Sequence, residues 1–179
     1  MGITWEPDLS VELAPFHPMG LKLANPVMVA SGTFGWDGYG SGLPEDLDLN
    51  HLGAIVAKTV TMEAREGNPE PRWHPHSWRK AWPTGESIYL NSVGLTNPGI
   101  QGALEEKAPL WATWKIPVIL SIAGESIAQF GTMASMAEGT PGVSAIELNL
   151  SCPNVDSGAQ FSHNPLLALD TVHAVKEST

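Results

Sequence analysis

A chain of 179 residues, 42% of them apolar, is long enough to bury a core and defaults to a single domain. Its 9 basic against 19 acidic residues leave a net charge of -10, which repels nucleic-acid backbones and anionic lipid surfaces, and one cysteine excludes an internal disulfide. No apolar run approaches the ~20 residues of a membrane span, and MGITWEPDLS lacks the basic and apolar regions of a secretory leader, so the expectation is a cytoplasmic protein that partners neither membrane nor nucleic acid.

Alternation of apolar and polar residues over Leu9 to Leu13 and again over Gly20 to Leu23, around a Pro-Phe-His-Pro turn, predicts an N-terminal β-hairpin. Pro26 to Ala30 reads as a short buried strand closed by Ser-Gly-Thr-Phe-Gly, and a weak helix is expected near Leu43 to Leu49. Ala54 to Val60 is a second buried strand that carries one lysine, Lys58. Residues 61–90 hold no long periodic segment; prolines punctuate them, and Trp73, Trp78 and Trp82 are interleaved with basic residues, His74 and His76. A loop of that length in a compact domain is usually functional or mobile.

Asn91 to Gly99 is a further loop, rich in amides and glycines that let a ligand approach the backbone. A helix is predicted from Gln101 to Trp114 and a third buried strand over Pro117 to Ala123. Ser126 can cap a helix whose buried face is Ile127, Phe130, Ala134 and Ala137, with Gly139 ending it. Ala145 to Leu150 is the fourth strand. Asn164-Pro165 then opens a last helix, on which Leu166, Leu169 and Val172 follow at helical spacing. A hairpin followed by strands alternating with helices is the pattern of a parallel α/β sheet, compatible with a barrel or with a doubly wound sheet. Were it a barrel, these units would make half of one, since eight units take about 250 residues.

In such sheets the chemistry sits at the C-terminal ends of the strands. The candidates there are Ser31 and Gly32, then Lys58, then Ser121 to Gly124, then Asn149, Cys152 and Asn154. A lysine in an apolar strand is either tied into a salt bridge, or snorkels, or is a fixed charge facing an anionic or electron-rich ligand. A cysteine at a strand mouth is either a small buried hydrophobe or a reactive thiol, whose reference pKa of about 8.5 suits base or nucleophile work. Asn91, Asn97, Asn149 and Asn154 would suit a planar heterocycle if they shared a face. His74 and His76 lack the second cluster a metal site needs, and no metal is expected. GTFGWDGYG does not have the dinucleotide-binding spacing.

Five ordered motifs, ASGTFG (30–35), AKTVT (57–61), EAREGNPEPR (63–72), NSVGLTNPG (91–99) and ELNLSCPNV (147–155), resemble the N-terminal half of class 1 dihydroorotate dehydrogenases. The resemblance implies the N-terminal portion of a (β/α)8 TIM barrel, about four βα units preceded by a β-hairpin, with residues 1–179 one incomplete flavin-binding domain. It implies oxidation of dihydroorotate to orotate with FMN, in pyrimidine biosynthesis. By the same resemblance Cys152 is the base; Lys58, Asn91, Val93, Gly94, Leu95, Asn149 and Asn154 hold substrate; and Ala30, Ser31, Gly32, Lys58, Thr59 and Asn149 hold FMN. The segment NVDSGAQFSHNP is closer to the NAD-linked B type, which implies a partner subunit with FAD and an iron-sulfur cluster, and a homo-oligomer is expected. Two alternatives stand beside it: a barrel similar to that of dihydropyrimidine dehydrogenase, which has SCPH where this chain has SCPN, and a non-catalytic docking subunit.

Overall fold

The structure, a computed structural model, describes residues 7–74, 90–152 and 161–179. The predicted hairpin is present: β1 (Val11–Glu12) pairs antiparallel with β2 (Lys22–Leu23). The Glu12 carboxylate accepts from the backbone N–H groups of Leu21 at 2.7 Å and Ala14 at 2.9 Å, which ties off the turn. Leu23, 1% exposed, packs against Ala54, Val56 and Ile119. The hairpin thereby covers the N-terminal end of the main sheet's inner face, and burying that leucine contributes about 1.5–3 kcal/mol.

The main sheet holds β3 (Met28–Val29), β4 (Ala54–Val60), β7 (Val118–Ile122) and β8 (Ala145–Leu148). Between its second and third strands lie an antiparallel ribbon, β5 (Trp73–His74) with β6 (Leu90–Asn91), and the short helices α1 (Gly99–Gly102) and α2 (Ala108–Trp111). Helix α3 (Ile127–Ala137) follows β7, and α4 (Pro165–Lys176) follows β8. All neighbouring strands of the sheet are parallel and their spatial order is their chain order. A doubly wound sheet reverses its order at a switch point, whereas a barrel adds each strand on the same side of the last. The winding among the described residues is that of a barrel.

Both middle strands are sunk between two layers. Val118, Leu120 and Ile122 face Phe130, Met133, Ala134 and Ala137 of α3, while Ile119 faces inward with Ala54 and Val56. Local chemistry sets the helix starts as predicted: the Ser126 hydroxyl accepts from the N–H of Gln129, and the Asn164 side chain accepts from those of Leu166 and Leu167.

Three expectations need correction. The run Pro26 to Ala30 is not buried: Val27 is 56% and Met28 43% exposed, because β3 has a neighbour on one side only. Leu43 to Leu49 is not a helix; only a 3-10 turn forms, Leu49–His51, capped by Asp48, whose side chain accepts from the Asn50 N–H and so starts a turn where the expected helix would have ended. The helix expected from Gln101 to Trp114 begins at Gly99 and is broken by a π-helical turn, Ala103–Lys107, just before Pro109, whose ring and missing N–H cannot continue the α-helical ladder. The helix predicted from Pro165 is present as α4, with Thr171 and Val175 buried and Leu166, Leu169 and Val172 exposed.

Candidate active site

The site begins with an irregularity in β4. Ile55, Val56 and Ala57 pair with Val118, Ile119 and Leu120, after which the register slips so that Val60 meets Ile122. The extra residue is a β-bulge at Lys58 and Thr59. Strict alternation would put Ala57 and Val60 on opposite faces, yet both lie in the core beneath the helices. Lys58 and Thr59 are therefore both turned off that face, toward the C-terminal rim of the sheet.

A glycine-rich loop lies against Lys58. Gly38 accepts the Lys58 backbone N–H at 3.0 Å, and a Cβ on Gly38 would stand 2.9 Å from both the Gly32 Cα and the Lys58 Cβ, at a φ of +80°. Asp37 fixes the loop by accepting from the N–H groups of Tyr39 and Ser41, from the Ser41 hydroxyl at 2.6 Å and from the Lys107 ammonium at 3.3 Å. The half-buried Lys58 has its pKa lowered by burial, opposed in part by Asp37. Among the described residues no carboxylate pairs with Lys58, so of the readings open in the sequence the salt bridge is not the one seen.

Burial would raise the Asp37 carboxyl, but its hydrogen bonds from Ser41, Tyr39 and Lys107 outweigh that and hold it at about 2. A folded-state pKa below the ordinary 3.8 gives stability that is present above that value and lost as pH falls toward 2. Urea midpoints of the full-length protein should therefore fall between pH 4 and 2, and Asp37→Asn should flatten part of that fall. The same slope in both proteins would contradict the assignment.

Four side chains from four strand ends meet beside the bulge. The Ser31 hydroxyl donates to the Ala57 carbonyl at 3.1 Å and accepts from the Thr59 N–H at 3.1 Å. The Thr59 Oγ1 lies 3.3 Å from Ser31 Oγ and 2.8 Å from Ser121 Oγ, and accepts from Asn149 Nδ2 at 3.1 Å. Ser121 is fully buried, Thr59 is 4% exposed, and Ser31 and Asn149 are half-buried. The structure thus brings together Ser31, Thr59 and Asn149, and sets Gly32 against the Lys58 side chain. Sequence reading places Ser121 only as a strand end; its signal was a hydroxyl inside the apolar run VILSI.

The loops of residues 61–74 and 91–99 are stapled together. Arg72 donates from Nε to the Asn68 carbonyl at 2.6 Å and from its Nη2 to the Glu66 carbonyl at 3.0 Å, and Asn68 donates its N–H to the Val93 carbonyl. Gly94 is required at its position, since a Cβ there would stand 2.6 Å from the Asn68 nitrogen, and Leu95 adopts a φ of +54°. Asn97 is not a ligand group: its carboxamide oxygen accepts from the N–H groups of Thr61 and Gly99, and its nitrogen donates to Thr61 Oγ1 and the Leu95 carbonyl. Asn91 is exposed on β6, makes no contact with the Thr59 cluster among the described residues, and lines a cleft with Arg72, Trp73 and His74.

Cys152 is half-buried three residues past Asn149, beyond the end of β8 and so on the same rim as the other strand ends. Asn154, His76, Trp78 and Trp82 lie outside the described residues. Among the described residues no group of three or more His, Cys, Asp or Glu could hold a metal ion, and no helix is long and apolar enough to cross a membrane.

Comparison with known proteins bears on all of these residues at once. The family profile described as Dihydroorotate dehydrogenase matches residues 16–179. A relative from Desulforudis audaxviator, named dihydroorotate dehydrogenase B (NAD(+)), catalytic subunit, is 42% identical over 89% of this chain and 48% of its own length. Its namesake from Thermoanaerobacter pseudethanolicus is 45% identical over 89% of this chain and 49% of its own length. The chain spans about half the length of the curated relatives it matches. The crystal structure of ligand-free type DHODH from Eimeria tenella has the same fold over 97% of this chain and 46% of its own, with a TM-score of 0.66 at 16% identity; the same enzyme in complex with ferulenol gives 0.59 at 18% identity. The fold is the N-terminal portion of a (β/α)8 barrel, preceded by a β-hairpin. The chain belongs to the dihydroorotate dehydrogenase family.

Proposed function

We propose that residues 1–179 are the N-terminal half of one flavin-binding barrel domain, and that the whole is a cytoplasmic dihydroorotate dehydrogenase of the NAD-linked B type. It oxidises dihydroorotate to orotate in pyrimidine biosynthesis. The observation that carries this reading is the rim of the sheet: a half-buried Lys58 with no carboxylate partner among the described residues lies beside bare glycine backbone and a hydroxyl–amide cluster, on the edge where Cys152 emerges.

Those residues fit FMN. Gly32 and Gly38 bring backbone rather than side chain against Lys58, and burial already presses the ammonium toward its neutral form, a cost that an electron-rich neighbour would relieve. Ala30, Ser31, Gly32, Lys58, Thr59 and Asn149 would hold the group, which when bound supplies the acceptor for the hydride from carbon 6 of the substrate. Cys152 takes the proton from carbon 5. Lys58 contributes positive charge where negative charge develops. Asn91, Asn149 and Asn154, with the backbone of Val93, Gly94 and Leu95, orient the ring. The names of the B-type relatives, each the catalytic subunit of an NAD(+) enzyme, support a separate partner subunit through which NAD is reduced; in this reading that subunit bears FAD and an iron-sulfur cluster. A homo-oligomer of the catalytic chain belongs to the same reading.

Anaerobic mixing of the full-length protein with dihydroorotate should bleach the visible flavin band, while dihydrouracil leaves it intact. Bleaching by dihydrouracil instead would assign the chain to a barrel similar to that of dihydropyrimidine dehydrogenase. Bleaching by neither would make it a docking subunit.

A further inference from the structure

The loop of residues 91–97 is tied down on both sides of one dipeptide. Before it, the Asn68 backbone N–H donates to the Val93 carbonyl at 3.0 Å, and the Asn68 side chain donates to the Ser92 carbonyl and hydroxyl. After it, Thr96 Oγ1 donates to the Glu66 carbonyl at 3.1 Å, and Asn97 exchanges both backbone hydrogen bonds with Arg65, at 2.9 and 3.0 Å. Between these ties, the backbone N–H groups of Gly94 and Leu95 donate to no acceptor among the described residues, although Gly94 is buried and Leu95 half-buried. A buried N–H is rarely left without a partner, so the pair calls for an acceptor that these residues do not supply.

The conformation of the dipeptide needs a cause. Its φ is +79° at Gly94 and +54° at Leu95, and a leucine rarely takes a positive φ unless something holds it there. The Asn97 carboxamide does so from beneath. Its Nδ2 donates to the Leu95 carbonyl at 2.8 Å and to Thr61 Oγ1 at 3.0 Å, and its Oδ1 accepts from the N–H groups of Gly99 at 2.8 Å and Thr61 at 3.1 Å. A backbone N–H can only donate and a carbonyl only accept, so the carboxamide has one orientation, with both its N–H groups and both its lone pairs used. Asn97 is 6% exposed, and no other donor among the described residues reaches the Leu95 carbonyl. Thr61 follows β4 directly. Through Asn97, the end of the strand that carries Lys58 therefore sets where the Leu95 carbonyl points.

We propose that Asn97 is a positioning residue, which touches no ligand itself and acts through the Leu95 carbonyl to keep Gly94 and Leu95 at successive positive φ, so that their N–H groups face one anionic group of the substrate. Successive N–H groups turned the same way in a turn form a concavity suited to an anion. This role rests on the functional reading above, which already gives the backbone of these residues to dihydroorotate; what it adds is the side chain that shapes them and the carboxylate as the part of the substrate that senses it.

Two ligands separate this role from a general structural one. The probes are orotate and methyl orotate, which keeps the ring and lacks the negative charge; their Kd values are read from the perturbation of the flavin spectrum of the full-length protein, with flavin content and melting temperature measured alongside. Asn97→Ala introduces no charge of its own and should weaken orotate by about tenfold, the loss of one hydrogen bond to a charged group, while methyl orotate changes by less than about twofold. Leu95→Val leaves the Asn97 carboxamide in place but disfavours a positive φ through its branched Cβ, and should show the same selective loss; in the double variant the two losses should not add, since both release the same dipeptide. Equal weakening of both ligands, unchanged orotate binding in Asn97→Ala, or fully additive losses would overturn the proposal. If Asn97→Ala does not fold, Leu95→Val decides alone: a loss confined to orotate supports it and an equal loss for both ligands overturns it. Wild-type protein that binds neither ligand would instead overturn the functional reading, so the two failures are distinct.

Discussion

Cys152→Ser in the full-length protein should slow reduction of the bound flavin by dihydroorotate by about 10²–10⁴-fold at neutral pH, the usual weight of a positioned acid or base, while orotate still binds. The substitution is nearly isosteric, so the rim and its hydrogen bonds are kept. What changes is the ease with which the side chain gives up its own proton to become a base. A serine hydroxyl surrenders it far less readily than a thiol, so the residual rate of the variant should keep climbing at alkaline pH after the wild-type rate has levelled. Single-turnover reduction in a stopped-flow instrument, free of product release, is the measurement that isolates this step. Weakened orotate binding with an unchanged reduction rate would remove Cys152 from the base role and make it a packing residue.

The second large effect belongs to Lys58. Lys58→Gln retains the length and a donor but discards the charge, and should lower the reduction rate by about 10²–10³-fold, as removal of one preorganised electrostatic group does elsewhere. It should also make the flavin harder to reduce, because the ammonium favours the form that carries more negative charge. A spectroelectrochemical titration reads the potential, and stopped-flow reads the rate. The structural basis is that this ammonium is half-buried, that burial lowers its pKa, and that the nearest acid acting on it, Asp37, is already engaged by Lys107 and Ser41. Unaltered potential and rate in Lys58→Gln would make the lysine a snorkelling surface residue after all.

Much of this architecture was legible because it is written in local chemistry. The Ser126 and Asn164 caps are short-range hydrogen bonds within one turn, and the central strands are apolar runs that stay buried wherever they are put. The features that escaped depend on partners distant in sequence. The bulge at Lys58 and Thr59 exists only relative to the register of β7. Ser31, Thr59, Ser121 and Asn149 span more than a hundred residues and meet only after the strands have paired. Asn97 reads as one more loop amide until Thr61 and Gly99 are seen to occupy it. The last helix shows a limit of such local signals: its spacing placed Leu166, Leu169 and Val172 on a helix, yet spacing says which residues share a face, not what lies against it, and these three are exposed.

The strand order of the main sheet, β3-β4-β7-β8, has a consequence for how the protein is made. Chains fold from the N-terminal end as they leave the ribosome, at about 5–20 residues per second. In this sheet every strand after β3 has a partner on one side that was synthesised before it, so only β3 has to wait for a later one to find a neighbour. The hairpin that carries Leu23 emerges first, ready to cover Ala54 and Val56 as they appear. Assembly can then advance one unit at a time, with an open edge that moves along the sheet and is covered by the next strand to arrive.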